Sequence, residues 1–209
     1  MLEIKDFIPG NDEKINQLLR FTAEVDKMTA ISRRTLLIDK SRRENDAEHS
    51  WHIALMAMLF KDYAPAGCNV ERAVKMCIVH DLVEIYAGDT FAYDASANKG
   101  KANREKIAAD KLFGELPEDL KKEFMTLWEE FDEMETPDSK YAAAMDRLQP
   151  FLHNTLTGGH TWLEGKPSLE MVDKRIGPAI EAMPALKNWY EANIKNGSRK
   201  RLAKKIIKK

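Results

Sequence analysis

The chain has 209 residues, of which 44% are hydrophobic and 32% are charged, and its formal net charge is −1. This length fits one domain with a core large enough to fold without disulfide bonds. The composition excludes a collagen-like repeat and a disordered chain, and two cysteines, Cys68 and Cys77, are too few for a disulfide scaffold.

The N-terminal sequence MLEIKDFIPGNDEK contains no apolar segment typical of a secretion signal. The longest apolar run, Ile53–Phe60, is too short to cross a bilayer. We therefore expect a cytoplasmic protein in which both thiols are reduced.

Helical periodicity recurs along the chain, whereas no segment shows sustained alternation with β-branched enrichment. Asn45 and Glu48 have the spacing of a capping box, and Thr136 followed by Pro137 is typical of a helix start. Gly88 is suited to end a helix. The sequence predicts an all-α, single-domain helical bundle with helices at about 12–28, 46–64, 70–86, 101–114, 117–134, 137–157 and 168–194.

Basic residues are concentrated at the C-terminus. Residues 198–209 hold seven lysines and arginines and no acidic residue, whereas the rest has 26 basic and 34 acidic residues, a net charge of −8. We interpret 1–197 as the folded domain and 198–209 as a solvated basic tail. Contact of this tail with nucleic acid or a membrane surface is the less favoured alternative.

Two segments, 51–60 and 73–83, are apolar almost all round and should form central helices. The second contains His80 and Asp81, and Glu84 follows within one turn on the same face. Burying such groups is costly unless they are paired or bind a metal ion. These polar groups therefore need a common explanation.

Further polar residues occur in apolar surroundings. His49 begins the first central helix, and Asp146 lies in the segment KYAAAMDRL. Imidazole and carboxylate ligands from three helices suit Mn, Fe, Co, Ni or Zn. Taken by itself, each histidine has an alternative interpretation, in which it is a core residue held by hydrogen bonds and not a metal ligand. Trp51, which points away from His49, is predicted to be core.

Three motifs together carry a family resemblance: Glu48-His49, VHDLVEIYAGD at 79–89 and LWEEFDEMETPDSKYAAAMDRLQPFLHN at 127–154. They resemble the HD-domain metal-dependent phosphohydrolases, in the branch that contains the bacterial 5′-deoxynucleotidase, over about residues 15–190. The resemblance implies an all-helical core, a homodimer and deoxynucleoside 5′-monophosphates as substrates. It also implies a divalent metal ion (Mn, Co, Fe, Ni, Zn or Mg) whose ligands are His49, His80, Asp81 and Asp146.

A single metal ion is expected, because dinuclear members of the superfamily add histidines between the His-Asp pair and the last aspartate. This chain has no histidine from 82 to 145. A second site is then expected only if carboxylates supply it.

The resemblance implies roles for three more residues. Glu84 matches the catalytic glutamate, Asp89 matches the aspartate that lies over the substrate, and Arg34 matches an arginine that contacts the phosphate. Whether Glu84 or Asp89 transfers the proton is left open. Thr35 stands where the deoxynucleotidase has a tryptophan that helps to exclude ribonucleotides, so the preference between deoxy- and ribonucleotides is open as well.

Two other functions are compatible with these residues. One is hydrolysis of a different nucleotide, such as a triphosphate or an analogue, by the same site. The other is a non-catalytic binding or regulatory protein in which the metal is structural. Glu84 and Asp89 favour catalysis, because a structural metal site needs only its ligands.

Overall fold

The computed structural model describes residues 7–94 and 96–198, with side chains up to residue 194. Of the predicted basic tail, only the backbone of Ser198 lies within this part of the chain. The elements in chain order are α1 (Glu13–Val25), a 3₁₀ helix (Asp26–Ala30), β1 (Ser32–Leu36), β2 (Arg43–Asn45), α2 (Asp46–Leu59), a 3₁₀ turn (Lys61–Tyr63), α3 (Val70–Val79), α4 (Glu84–Ala87), α5 (Lys101–Phe113), α6 (Glu118–Glu133), α7 (Pro137–Leu156), α8 (His160–Gly165), α9 (Leu169–Ala182), a 3₁₀ turn (Pro184–Leu186), α10 (Lys187–Tyr190) and a π-helical segment (Glu191–Ser198).

Both predicted helix starts are confirmed. The side chain of Asn45 accepts a hydrogen bond from the amide of Glu48, whose own side chain accepts from the Asn45 amide. Thr136 caps α7 in the same way, with Pro137 in its first turn. These local bonds satisfy amides that the helix itself leaves free.

The core lies where α2, α3 and α7 pack together, with α9 against α7 and α6 against both α3 and α7. Ile53, Met76, Tyr141 and Met145 are fully buried there. The all-α bundle and its two central helices are therefore confirmed. No helix among the described residues is both long and apolar enough to span a bilayer.

Three predictions of local structure were wrong. A short antiparallel hairpin, β1 with β2, interrupts the helices; its strands are too short and polar to show an alternating pattern. The helix predicted at 70–86 ends at Val79, and tighter i→i+3 hydrogen bonds, such as that from the Glu84 amide to the Asp81 carbonyl, lead into α4. The helix predicted at 168–194 is broken after Ala182.

Trp51 was predicted to be core but is 66% exposed. It lies on a face of α2 that also exposes Met58 and Leu59. The segment is apolar on both sides, so composition alone did not indicate which side the core covers.

A buried hydroxyl links α7 to α2. Tyr141 is fully buried, and its hydroxyl donates a 2.8 Å hydrogen bond to the carbonyl of Ala57. We expect Tyr141→Phe to lower the free energy of unfolding by about 1–2 kcal/mol, because a buried carbonyl loses this donor. Urea unfolding followed by circular dichroism measures the change. Tyr63→Phe, at a position that is 55% exposed, is the control and should change stability little. Equal stability of wild type and Tyr141→Phe would contradict this account.

Candidate active site

The four predicted ligands meet inside the core. His49 lies in the first turn of α2, His80 and Asp81 follow α3, and Asp146 lies in the middle of α7. The Nε2 of His49 is 3.2 Å from Oδ1 of Asp146 and 3.9 Å from Oδ2 of Asp81. The Nε2 of His80 is 3.0 Å from Oδ2 of Asp81 and 3.9 Å from Oδ1 of Asp146. All four side chains are buried. The structure thus brings the set together, and its metal-binding role stays a prediction.

Both imidazole rings are oriented through their Nδ1 atoms. The Nδ1 of His80 donates to the carbonyl of Cys77 at 2.9 Å, and the Nδ1 of His49 lies 3.1 Å from Oε1 of Gln149. The amide nitrogen of Gln149 donates to Glu44 at 2.7 Å, which leaves Oε1 as the acceptor for His49. In the neutral form, each ring therefore presents an unprotonated Nε2 to the carboxylates.

This arrangement fits a divalent cation. Burial, together with the charge of Arg33, lowers the pKa of His49 to about 4, so its lone pair faces the oxygen of Asp146 with no proton between them. The Nε2 of His80 is buried and makes no hydrogen bond, although Oδ2 of Asp81 lies 3.0 Å away. Burial lowers the pKa of His80 but Asp81 raises it on balance, so this nitrogen requires a proton or a metal ion. Two imidazoles and two carboxylates suit Mn, Fe, Co, Ni or Zn.

Arg33 and Asp46 belong to this cluster although sequence reasoning did not select them. The Nη1 of Arg33 donates to Oδ2 of Asp81 at 2.7 Å and to Oδ1 of Asp46 at 3.0 Å. These bonds offset part of the negative charge, and the carboxylates raise the pKa of Arg33 despite its burial. The sequence contained one signal for Asp46, since it lies one helical turn before His49. Nothing in the sequence distinguished Arg33 from Arg34.

Glu84 faces the same carboxylates from the start of α4. Oxygens of Glu84, Asp46 and Asp81 lie within 4.8 Å of one another, and Oε2 of Glu84 is buried without a hydrogen-bond partner. Burial first, and then the charges of Asp81 and Asp46, raise the pKa of Glu84 to about 11. Without a divalent ion among these carboxylates Glu84 holds a proton at neutral pH, and the charge of a bound divalent ion would lower its pKa and free the carboxylate to act as a general base.

A cavity of about 80 Å³ adjoins the cluster. Asp89 and Arg34 both line it, as does the buried Thr35. Arg34 is exposed, and its guanidinium carbon lies 4.9 Å from the centre of the Phe91 ring. Arg33, rather than Arg34, contacts the carboxylates of the cluster. The roles of Asp89 and Arg34 toward substrate stay predictions.

Two more arginines that sequence reasoning missed line the same cavity. The Nη2 of Arg175 on α9 donates to Oδ2 of Asp146 at 2.8 Å. The Nη2 of Arg147, which follows Asp146 on α7, lies 2.7 Å from the sulfur of Met134. Burial and the neighbouring Arg175 lower the pKa of Arg147. In the sequence, the one signal for Arg147 was its position directly after Asp146.

Comparison with known proteins gives one family. A model of the HD domain matches residues 25–187. The 5′-deoxynucleotidase HDDC2 of Homo sapiens is 31% identical over 136 residues, and the match spans 65% of each chain. The 5′-deoxynucleotidase of Erwinia tasmaniensis is 32% identical over 160 residues, spanning 72% of this chain and 80% of that relative.

A solved structure gives the same result. A crystal structure from Magnetospirillum magnetotacticum, described as a predicted metal-dependent phosphohydrolase, is 42% identical with a TM-score of 0.86. The match covers 92% of this chain and 97% of the other. The helical core, the cluster of histidines and aspartates and these matches together lead to one conclusion: the chain belongs to the HD-domain family.

Proposed function

We propose that this protein is a metal-dependent phosphohydrolase that removes the 5′-phosphate of nucleoside monophosphates. One observation carries the proposal: two imidazole nitrogens and two carboxylates converge in the core, beside a cavity with arginines in its wall. The relatives named 5′-deoxynucleotidase support a nucleotide substrate. Phe91, Tyr93 and Trp162 line the same cavity and offer apolar contacts for a nucleoside.

We propose that His49, His80, Asp81 and Asp146 hold one divalent ion. When bound, such an ion lowers the pKa of its water and polarises a phosphoryl oxygen. We propose that Glu84 takes a proton from the attacking water, a role that is supported by its carboxylate lying within 4.8 Å of that of Asp81. Arg33 keeps Asp81 oriented through its 2.7 Å hydrogen bond.

We propose that Asp89 and Arg34 contact the substrate, which their positions in the cavity wall support. Burial raises the pKa of Asp89, which is the direction that proton donation to the leaving 5′-oxygen requires; the alternative role of this carboxyl is to bind the sugar. The free thiols Cys68 and Cys77 support a cytoplasmic location, where thiols remain reduced. We retain 1–197 as the domain, since the family match falls within it.

Phosphate release tests the proposed activity. Metal-stripped protein reloaded with Mn, Co, Zn or Mg is supplied with a panel of deoxy- and ribonucleoside 5′-monophosphates. Metal-dependent release of phosphate supports the proposal, and the ratio between the two series measures the sugar selectivity of a site that carries Thr35. If the protein hydrolyses nucleoside triphosphates but not monophosphates, and releases pyrophosphate or tripolyphosphate, then its substrates are triphosphates. Absence of any hydrolysis would favour a binding protein.

We also propose a homodimer in which one face of α2 is the interface. Trp51, Met58 and Leu59 expose 66%, 58% and 68% of their surface, and Tyr63 in the next turn exposes 55%. Several large exposed apolar side chains on one helix and the turn after it are typical of interaction surfaces.

The double variant Trp51→Glu/Leu59→Glu is expected to convert the dimer to a monomer, because two charges per subunit would have to be buried. Light scattering coupled to size-exclusion chromatography measures the mass. Ile107→Glu, at another exposed apolar position on α5, is the control and should remain dimeric. A dimer that persists in the double variant would place the interface elsewhere.

A further inference from the structure

The cavity beside the candidate metal centre has an unusual balance of charge. Among the described residues, its wall contains four arginines, Arg33, Arg34, Arg147 and Arg175, and one acidic residue, Asp89. Arg33 is bonded to Asp46 and Asp81, and Arg175 to Asp146. Among the described residues, no carboxylate lies within ion-pair distance of Arg34 or Arg147.

Arg147 differs from Arg34 in its surroundings. The Arg147 side chain is half-buried, and the partner of its Nη2 is the thioether of Met134, which is a weak acceptor. Removing a guanidinium group from water without an anionic partner is costly. Arg34 rests against the Phe91 ring. Because Arg34 is exposed, water screens its charge. Arg147 is therefore the cation of this cavity that most needs an anion.

Arg175 connects this region to the candidate metal centre. It holds Oδ2 of Asp146 at 2.8 Å, while Oδ1 of the same carboxylate faces His49 at 3.2 Å. The carboxylate of Asp146 thus lies between Arg175 and the candidate metal centre. A guanidinium group has five N–H donors in a planar fork, so Arg175 can hold Asp146 and still donate to an anion in the cavity.

We propose that Arg147 and Arg175 form an anion subsite that binds the phosphoryl group of the substrate beside the metal centre. That the anion is a phosphoryl group rests on the proposed function. Helices α7 and α9 then supply the main contacts to phosphate, and Arg34 at the exposed side of the cavity contributes less. The aromatic part of the cavity remains for the nucleoside.

Equilibrium binding of inorganic phosphate to the metal-loaded full chain tests the subsite without requiring turnover. Loss of a charge-assisted hydrogen bond weakens binding by about tenfold or more. We expect Arg147→Gln to raise the Kd of phosphate by at least this factor, Arg147→Lys to raise it less, and Arg175→Lys to raise it as Arg147→Gln does. Arg34→Gln should raise it by a smaller factor than Arg147→Gln, because Arg34 is exposed and water screens its charge.

Lys174→Gln is the matched control, because Lys174 precedes Arg175 and is exposed. Metal content and thermal unfolding of each variant are measured alongside, which separates a lost phosphate contact from a damaged metal centre or fold. If Arg147→Gln retains metal, fold and wild-type phosphate affinity, the subsite is refuted. Refutation also follows if Arg34→Gln alone abolishes phosphate binding, or if the wild type binds no phosphate.

Failure of the proposed function gives a different pattern. A protein that hydrolyses no nucleotide, but loses phosphate binding in Arg147→Gln, keeps the anion subsite and loses the assigned reaction. Conversely, hydrolysis with unchanged phosphate affinity and KM in Arg147→Gln keeps the reaction and removes the subsite. The two measurements together decide between these cases.

Discussion

Glu84→Gln is expected to leave the metal bound and to lower kcat by about 10²–10⁴-fold. Glutamine keeps the size of the side chain but cannot accept a proton from water. Glu84 is not among the four proposed ligands, and its Oε2 has no hydrogen-bond partner, so the change removes no protein contact of that atom. Steady-state kinetics and metal analysis of the same preparation measure the two effects.

The control for this variant is Glu118→Gln, because the Glu118 side chain is 87% exposed and lies at the start of α6. Its kinetics should match the wild type. Full activity of Glu84→Gln would assign proton transfer to another group, with Asp89 as the next to test. Loss of the metal would instead make Glu84 part of the metal site.

His80→Ala is expected to abolish stoichiometric metal binding and to lower activity by at least about 10³-fold, since the several kcal/mol that a metal ion contributes to the transition state are lost. The reason lies in the geometry of the ring. Its Nδ1 is committed to the carbonyl of Cys77, and its Nε2 faces Asp81 and Asp146. Alanine leaves those two carboxylates without the nitrogen ligand that faces them.

Metal content by elemental analysis, before and after dialysis against a weak chelator, measures this effect. His160→Ala removes an exposed histidine outside the cluster and should keep both metal and activity. If His80→Ala bound metal as tightly as the wild type, the ion would have to be held by the carboxylates around Asp46, and the proposed ligand set would be wrong.

Local sequence signals predicted the parts of the fold that depend on neighbours along the chain. The capping pair of Asn45 and Glu48 depends on three-residue spacing, and the structure contains both of its hydrogen bonds. His80 and Asp81 were recognisable because a carboxylate and an imidazole in an apolar helix require partners. The resemblance then connected them with His49 and Asp146, which the chain brings within 3.9 Å of His80 or Asp81.

Features that depend on distant packing could not be predicted in this way. Arg33 and Arg34 are adjacent and chemically identical, and only the direction of β1 decides that Arg33 reaches Asp81. Trp51 was predicted to be buried because its segment is apolar, whereas exposure depends on which face the other helices cover. Arg175 lies in an ordinary amphipathic helix, and its contact with Asp146 appears only when α9 packs against α7.

The candidate centre joins parts of the chain that are far apart in sequence. His49 and Asp146 are separated by 97 positions, yet their side chains lie 3.2 Å apart. An ion held between them would act as a cross-link across three helices, closing long loops much as a disulfide does. Because the unfolded chain does not hold these groups together, the free energy of metal binding adds to that of folding. Metal supply would therefore determine how long the folded protein persists as well as how fast the proposed reaction runs.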